Sequence, residues 1–288
     1  MSGNLIERIN RFVSVVAIAA ATGEVEEHSC YMANPGSMLG MCSKGCEVRV
    51  STSTSESRKF RYTVEAVKIG ETWIGCNTHI ANEIISSVLR SERAPDVLGV
   101  RPFESFRREV TRGGSRFDFE LTHTENCSTL IEVKTVTMAS DWYKVETTSS
   151  IANQKLRLLP AEPPAECTHM IESTDKRALF PDCESKRALK HVIGLAELTS
   201  KPTRETLLVF VIMRDDIASV GPSYYCDPNY SSGLADAIGK GLTTCAVKCK
   251  LNVSDLSDSF IEIVSTVPVE ASMISDYPPK VTVKRKRK

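Results

Sequence analysis

Short alternating patterns of hydrophobic and polar residues fill the first part of the chain and predict β-strands with little helix. Turn residues such as Thr22-Gly23 and Asn34-Pro35-Gly36-Ser37 separate these patterns. The predicted strands are Arg11–Ala20, Val25–Met32, Glu47–Ser53, Phe60–Lys68 and Thr72–Cys76. A run of five short strands is typical of a small barrel, for which the five-stranded OB-fold is the natural candidate. We therefore predict an OB-fold-like domain over residues 1–80.

The apolar stretch Phe12–Ala21 has a second interpretation. Arg8 and Arg11 precede it and small residues end it, so that it resembles a secretory signal. The competing interpretation is a first β-strand rich in valine and isoleucine, followed by the turn at Thr22-Gly23.

From residue 81 the pattern changes to alternating helices and strands, and predicts a mixed-sheet α/β domain over residues 81–276. Residues 139–178 have little periodicity and predict an insertion, while residues 277–288 predict a disordered basic tail. The predicted helices are Asn82–Leu89, a helix capped by Asp182 and ending near Leu198, and Tyr230–Lys240. The predicted strands are Phe103–Thr111, Arg116–Leu121, Leu130–Val136, Thr206–Met213 and Thr243–Val253. This α-β-β-β-α-β order resembles the core of the PD-(D/E)xK nucleases, in which the second and third strands carry metal-binding carboxylates and a lysine.

The predicted hairpin of Arg116–Leu121 and Leu130–Val136 contains the chief candidate chemistry. Successive side chains of a strand point to opposite faces. If the strands pair about Glu125, then Asp118 lies opposite Glu132, with Lys134 on the same face. The opposite, core-facing side is predicted to hold Phe117, Phe119, Leu121, Ile131 and Val133.

Two carboxylates beside a lysine suit a divalent-metal site. Mg²⁺ (or Mn²⁺) takes one or two carboxylates together with waters and phosphate oxygens, and Asp118 and Glu132 are the candidate ligands. A metal there could activate water against a phosphodiester, and Lys134 could orient that water or offset negative charge. The alternative is an amphipathic hairpin with a solvated outer face and a cross-strand charge pair.

The overall charge does not indicate a polyanion partner, because 36 basic residues balance 36 acidic ones. Two local groups of cations are nevertheless candidate DNA contacts, with solvated surfaces as the alternative. The first contains Arg112 and Arg116 within the arginine-rich segment 101–116, and the second is the stripe Arg187, Lys190 and His191 on one helix.

Cysteine usage and hydropathy predict the compartment. Ten cysteines are spread along the chain without a disulfide framework, so we expect free thiols and a reducing, cytoplasmic location. No apolar run reaches the length that spans a bilayer, so no membrane association is expected. The basic run Lys284–Lys288 leaves nuclear import as the alternative.

Several segments, in order along the chain, resemble the sugar fermentation stimulation protein A (SfsA) family. They are Arg11-Phe12; Asn34-Pro35-Gly36-Ser37-Met38; Trp73–Thr78 with Asn82; Glu109-Val110 with Ser115–Phe119; Glu132–Thr137; Phe180-Pro181-Asp182; Arg187 with Lys190-His191; and Asp227–Tyr230. Because the resemblance begins at Arg11, it favours the strand interpretation of Phe12–Ala21.

The resemblance implies an OB-like domain fused to a PD-(D/E)xK-like domain, and DNA binding. It implies Asp118 and Glu132 as metal ligands and Lys134 as catalytic lysine, with Asn34, Gly36, Ser37, Met38, Asn77 and Asp182 as further motif positions. A Mg²⁺-dependent nuclease and a non-catalytic DNA-binding regulator of sugar metabolism both fit, and a barrel that binds another ligand is a third possibility. A homodimer is compatible with the sequence. The insertion at 139–178 departs from the family pattern and could cover the cleft.

Overall fold

A closed barrel forms the N-terminal part of the computed structural model, which describes residues 1–20, 22–140, 176–199, 203–253 and 260–271. Its strands are β1 (Ser2–Asn10), β2 (Val13–Ala19), β3 (Val25–Met32), β4 (Glu47–Thr52), β5 (Tyr62–Ile69) and β6 (Thr72–Gly75). They are hydrogen-bonded in the order β3-β2-β1-β4-β5-β6, and a parallel β3–β5 pairing closes the first five into a barrel. The predicted OB-fold is confirmed.

Alternation along the barrel strands produces the core. In β2, for example, Ser14, Val16 and Ile18 are buried, whereas the residues between them are partly exposed. Equivalent positions of the other strands supply Leu5, Met32, Val50, Val64 and further apolar side chains to the same cluster.

The first strand differs from the prediction, because β1 precedes Arg11 and the chain turns at Arg11-Phe12. The reason is Arg8, a charged residue at an interior position with no exposed surface. Its guanidinium donates hydrogen bonds to the carbonyls of Arg11, Asn34, Gly36 and Ser37 at 2.7–3.0 Å. A charged residue in the middle of a strand pattern predicts a solvent-exposed position, but this one is buried because four backbone oxygens accept hydrogen bonds from its two terminal nitrogens.

A mixed sheet forms the second domain, as predicted. Its strands, in spatial order, are β14 (Phe260–Thr266), β13 (Thr243–Asn252), β11 (Arg204–Ile212), β9 (Ser128–Val136), β8 (Ser115–Thr122) and β7 (Ser105–Arg112). The central strand β11 is parallel to β9 and β13, whereas β7, β8 and β14 join by antiparallel pairs. A separate parallel pair links β10 (Arg177–Phe180) to β12 (Ser219–Pro222).

Helices cover both faces of this sheet. On one face α1 (His79–Leu89) and α2 (Ala94–Leu98) pack on side chains that include Phe119, Ile131 and Val209. On the other face α3 (Lys186–Thr199) and α4 (Pro228–Gly239) pack on Leu130, Leu208 and Phe210. The central strand β11 is therefore buried on both sides, as its continuous apolar run predicts.

Several elements depart from the prediction. The helix expected to begin at Asp182 begins at Lys186, because the Ser185 hydroxyl accepts the Ala188 N–H while the Asp182 carboxylate bonds elsewhere. The elements α2, β10, β12 and β14 were not predicted; each is short or lies outside a clear period.

Of the expected insertion, only its two ends lie within the described residues. Ala139 and Ala178 form an antiparallel bridge, and the Ser140 N–H donates to the Arg177 carbonyl at 2.8 Å. The segment therefore leaves and rejoins the domain at one place; residues 141–175, and the tail 277–288, lie outside the described residues. No helix in the described ranges is both long and apolar enough to cross a membrane.

Candidate metal and nucleic-acid site

The hairpin of β8 and β9 pairs in the predicted register, but its alternation breaks at Asp118. The last ladder pair is Phe119 with Ile131, and beyond it the Asp118 carboxylate accepts the Val133 N–H at 2.8 Å. On β7, Glu109 lies between the residues paired with Phe119 and Phe117 and has a φ of 57°. The prediction that Phe117 shares the face of Phe119 is therefore wrong: Phe117 packs in the α3–α4 core, with its ring centroid 5.9 Å from that of His191.

Two hydrogen bonds hold the Asp118 carboxylate in place. The Asn82 amide of α1 donates to one oxygen at 2.8 Å, and the Val133 N–H donates to the other. Burial raises the pKa of Asp118, and the charge of Glu132 raises it further, against the opposing effect of the two hydrogen bonds and Lys134. This shift shows that the ionised carboxylate is held at an energetic cost.

Glu132 is almost fully buried, and its two carboxylate oxygens differ in their hydrogen bonds. Its Oε1 accepts from Lys134 Nζ at 2.5 Å and contacts His191 Nδ1, which must donate because a carboxylate only accepts. Among the described residues, Oε2 has no hydrogen-bond partner. Burial by itself would raise the pKa of Glu132, but Lys134 and His191 outweigh it and hold the pKa below its ordinary value.

Tyr230 adds a hydroxyl on the same side of the sheet. Burial raises the pKa of Tyr230 well above its ordinary value, and the charges of Glu132 and Asp227 contribute. Its hydroxyl also lacks a hydrogen-bond partner among the described residues. The Asp227 carboxylate accepts the Tyr230 backbone N–H at 2.9 Å and so anchors the backbone of this residue. The Phe180 ring packs edge-on against the Tyr230 ring.

Asp118, Glu132 and Lys134 all line one cavity of about 410 Å³, within the range of ligand pockets. One wall comes from the barrel, through Arg11 and the loop Asn34–Gly36; the other comes from Leu179–Ser185 and the first turn of α3, including Arg187. Thr78 and Asn82 of the α1 end complete the rim beside β9. The cavity therefore lies between the two domains.

The remaining motif positions build the wall between the domains. The Asp182 carboxylate accepts the Met38 N–H at 2.7 Å, the Ser37 hydroxyl donates to the Asp182 carbonyl, and Asn34 Oδ1 accepts the Gly36 N–H at 2.9 Å. Asn77 lies behind the rim: its amide donates to Glu65 of β5 and its oxygen accepts the N–H of His79 at the start of α1. These residues shape the cavity through contacts between elements.

The cations that the sequence predicted as DNA contacts have mixed placements. All five arginines of the 101–116 segment face a carboxylate. The pairs are Arg101–Glu205, Arg107–Glu120, Arg108–Glu83, Arg112–Glu120 and Arg116–Glu109, at 2.5–2.9 Å.

Arg112 pairs with Glu120, Arg116 pairs with Glu109 at the surface, and His191 is buried against Glu132. A contact of these three side chains with DNA stays a prediction. Arg187 is exposed and lines the cavity, and the exposed Lys190 donates to the Gly114 carbonyl at 3.2 Å. Their contact with DNA stays a prediction.

Sequence reasoning assigned no role to Asn82, Arg11 or Tyr230. All three belong to segments that carry the family resemblance, and that was the one available signal. The positions of Asn82 beside Asp118 and of Tyr230 near Glu132 depend on how the helices pack on the sheet, and that of Arg11 in the cavity wall depends on how the two domains pack. No local pattern encodes either kind of contact.

Comparison with known proteins agrees with this architecture. Residues 6–76 match the family model described as the SfsA N-terminal OB domain, and residues 79–145 and 166–255 match the Sugar fermentation stimulation protein RE domain. The chain belongs to the SfsA family. Sugar fermentation stimulation protein homologs of Magnetococcus marinus and Microcystis aeruginosa are 31% and 32% identical to it, over 88% of this chain and 90% and 89% of theirs.

A solved structure supports the fold of this SfsA-family chain. The structure of Pyrococcus furiosus SfsA in complex with Ca²⁺ superposes with a TM-score of 0.69 at 18% identity, and covers 93% of this chain and 95% of that one.

Proposed function

We propose that the protein is a DNA-binding nuclease of the PD-(D/E)xK type that depends on Mg²⁺ or Mn²⁺. The observation that carries the proposal is the convergence of Asp118, Glu132 and Lys134 on one inter-domain cavity, with a buried Glu132 oxygen that has no partner among the described residues. Oxygen-rich sites with one or two carboxylates are those that Mg²⁺ prefers.

The residues present fit such a cation. Donors reach both oxygens of Asp118 and Oε1 of Glu132, which leaves Glu132 Oε2 as an acceptor without a partner among the described residues. Within the described ranges no group of three or more His, Cys, Asp or Glu side chains is placed to hold a metal, so a cation at this site would rely on the two carboxylates together with waters and phosphate oxygens. The Ca²⁺ in the structure of Pyrococcus furiosus SfsA supports a cation-binding role in the same fold. A divalent cation bound there would polarise a phosphodiester and lower the pKa of a water that it binds.

The chain's own groups prepare this chemistry. Asn82 and the Val133 N–H fix the Asp118 carboxylate, and His191 holds Glu132 from α3, the helix that packs on that face of the sheet. Lys134, whose side chain is 11% exposed, can orient a water through Nζ or offset negative charge that develops on a phosphate. Arg187, on the exposed rim, is available to a neighbouring phosphate, since it forms no salt bridge with a described residue.

An assay of cleavage tests the proposal. Purified protein is incubated with labelled single- and double-stranded DNA in Mg²⁺, Mn²⁺ or EDTA. We expect metal-dependent cutting that falls by at least about 100-fold in Asp118→Ala and Lys134→Met. The exposed changes Glu71→Ala and Lys59→Met are matched controls and should cut as wild type does.

Two other outcomes would contradict the nuclease. DNA that is bound but not cut under any metal condition would identify a non-catalytic DNA-binding regulator. An absence of binding to either form of DNA would leave the barrel as a site for another ligand. Binding should also weaken steeply with salt, because phosphate contacts release counterions.

A further inference from the structure

An aromatic pair made of the exposed Phe12 and the partly buried Tyr31 lies on the barrel, and Phe12 directly follows Arg11 of the cavity wall. Phe12 is 45% exposed, and its ring lies nearly parallel to that of Tyr31, with an interplanar angle of 17° and centroids 6.4 Å apart. A single exposed phenylalanine is ordinary on a protein surface. Phe12 differs because hydrogen bonds fix its turn and because the neighbouring Arg11 lines the cavity.

The turn that carries Phe12 is fixed by hydrogen bonds on several sides. The Phe12 N–H donates to Asn10 Oδ1 at 2.9 Å, and the Phe12 carbonyl accepts the Met32 N–H at 3.0 Å. The carbonyl of Arg11 accepts from the buried Arg8 guanidinium at 3.0 Å. The ring is therefore presented from an ordered backbone, which lowers the entropic cost of binding a partner against it.

The charge next to the ring suits a phosphate. Arg11 directly precedes Phe12, is exposed, lines the cavity and forms no salt bridge with a described residue. The exposed acids of β3, Glu26 and Glu27, pair with the far end of β2, whereas Tyr31 pairs with its first residue. A cation that lines the cavity holding Asp118 and a half-exposed aromatic ring thus occur at adjacent residues of one barrel turn.

We propose that Phe12 and Tyr31 form a stacking platform for an unpaired base, with Arg11 on an adjoining phosphate, so that the substrate class is single-stranded DNA. Aromatic faces stack on bases of any sequence, and proteins that bind single strands combine such faces with cations. In duplex DNA the base faces are already stacked on one another, so the platform discriminates between the two forms. The proposal rests on the proposed function for its substrate, because the platform would hold the strand that enters the cavity.

Binding without metal tests the platform separately from cleavage. Fluorescence anisotropy in EDTA compares a labelled oligothymidylate of about twenty nucleotides with a duplex of the same length. We expect Phe12→Ala to weaken binding of the single strand by about 5- to 150-fold, since one stacked base contributes about 1–3 kcal/mol. Duplex binding should hardly change. Phe12→Tyr keeps the ring and should bind as wild type does.

Three controls test whether the substitution has only a general effect. Phe260→Ala removes another exposed phenylalanine, 58% exposed on β14, and should leave single-strand binding unchanged. Thermal unfolding should show that Phe12→Ala is folded, since the ring is largely outside the core. A single strand that lacks bases should bind wild type and Phe12→Ala equally, because it offers nothing to stack.

The platform is overturned if Phe12→Ala binds the oligothymidylate as wild type does, or loses single- and double-strand affinity equally. Tighter, Phe12-dependent binding of oligouridylate would assign the platform to RNA and overturn the DNA assignment. Metal-dependent cutting of duplex without single-strand binding overturns the platform and leaves the nuclease standing. Selective loss of single-strand binding without cutting under any metal condition supports the platform and overturns the nuclease.

Discussion

The carboxylate of Asp182 accepts the backbone N–H of Met38 across the boundary between the two domains, at 2.7 Å. The Ser37 hydroxyl donates to the Asp182 carbonyl, so the barrel loop is bonded twice to one residue of the α/β domain. Gly36 and Asp182 both line the cavity. This contact therefore sets the separation of the cavity walls, and any change in it should reach Asp118 and Glu132.

Gly36→Ala should break this contact. A Cβ on Gly36 would lie 2.5 and 2.6 Å from the two Asp182 carboxylate oxygens, so the loop or the carboxylate must move. We expect a loss of about 1–3 kcal/mol in the free energy of unfolding, measured by urea denaturation. In an Asp182→Ala background the same glycine change should cost much less, because the clashing oxygens are absent.

The matched control for the glycine change is Gly239→Ala at the end of α4, where a Cβ meets nothing within 4 Å. That variant should be as stable as wild type or slightly more so. An equal cost of Gly36→Ala with and without Asp182 would show that the contact is not what the alanine disrupts.

Arg8 fixes the barrel side of the same wall. Its guanidinium binds the carbonyls of Arg11, Asn34, Gly36 and Ser37, and it has no exposed surface. Arg8→Met keeps much of the volume but leaves those carbonyls without their donor, so we expect destabilisation of about 3 kcal/mol or more by urea denaturation. The exposed Arg58→Met is the control and should be near neutral. Near-wild-type stability of Arg8→Met would mean that water replaces the guanidinium.

The contrast between Arg8 and the hairpin shows what the sequence could reveal. Asp118, Glu132 and Lys134 were predictable because strand periodicity and the β8–β9 register are local properties, and the structure brings all three to one cavity. Strand β1 was not predictable, because Arg8 is an interior charge satisfied by a loop about 30 residues away in sequence.

Long-range packing explains the other differences. Asp182 looked like a helix cap, but its carboxylate is used by Met38 of the other domain. His191 looked like part of a cationic helix face, yet the sheet below places Glu132 against it. In both cases the local pattern was compatible with two partners, and tertiary contacts selected the distant one.

Asp118→Asn should stabilise the metal-free protein at neutral pH. Because the folded-state pKa of Asp118 lies above its ordinary value of 3.8, ionisation costs folding free energy at pH values above that folded-state pKa. Asparagine removes the charge, and a flipped Asn82 amide can accept its N–H. We expect a gain of about 1 kcal/mol at pH 7 in EDTA, measured by denaturation, which vanishes as the pH falls below 3.8, where the acid is protonated in both states.

Glu132→Gln should act in the opposite direction and serves as the contrast. The folded-state pKa of Glu132 lies below its ordinary value of 4.5, so its ionised form contributes stability above that pH, and this contribution is lost as the pH falls through the folded-state pKa. The glutamine variant should be less stable than wild type at pH 7, since Lys134 loses its buried counter-charge. If both variants shift stability in the same direction, the assignment of opposite pKa shifts is wrong.

His191 should tune metal affinity without touching the metal. Its Nδ1–H holds Glu132 Oε1 and thereby orients the carboxylate whose Oε2 is unsatisfied among the described residues. Residues that orient metal ligands typically contribute about 10- to 100-fold to metal affinity. We therefore expect His191→Phe, which keeps a ring beside Phe117 but removes the donor, to weaken Mn²⁺ binding by about that factor in calorimetric titration.

Two further variants, His191→Asn and His28→Phe, test whether the effect depends on the hydrogen bond of His191. His191→Asn retains an amide donor in place of Nδ1 and should recover part of the Mn²⁺ affinity. His28 Nε2 lies 3.3 Å from Glu26 Oε2 on the barrel, and neither residue is among those that line the cavity, so His28→Phe should leave the affinity unchanged. Wild-type affinity in His191→Phe would show that the ring only fills space. A loss in the phenylalanine variant with partial recovery in the asparagine variant requires the hydrogen bond, because packing alone would favour the larger ring.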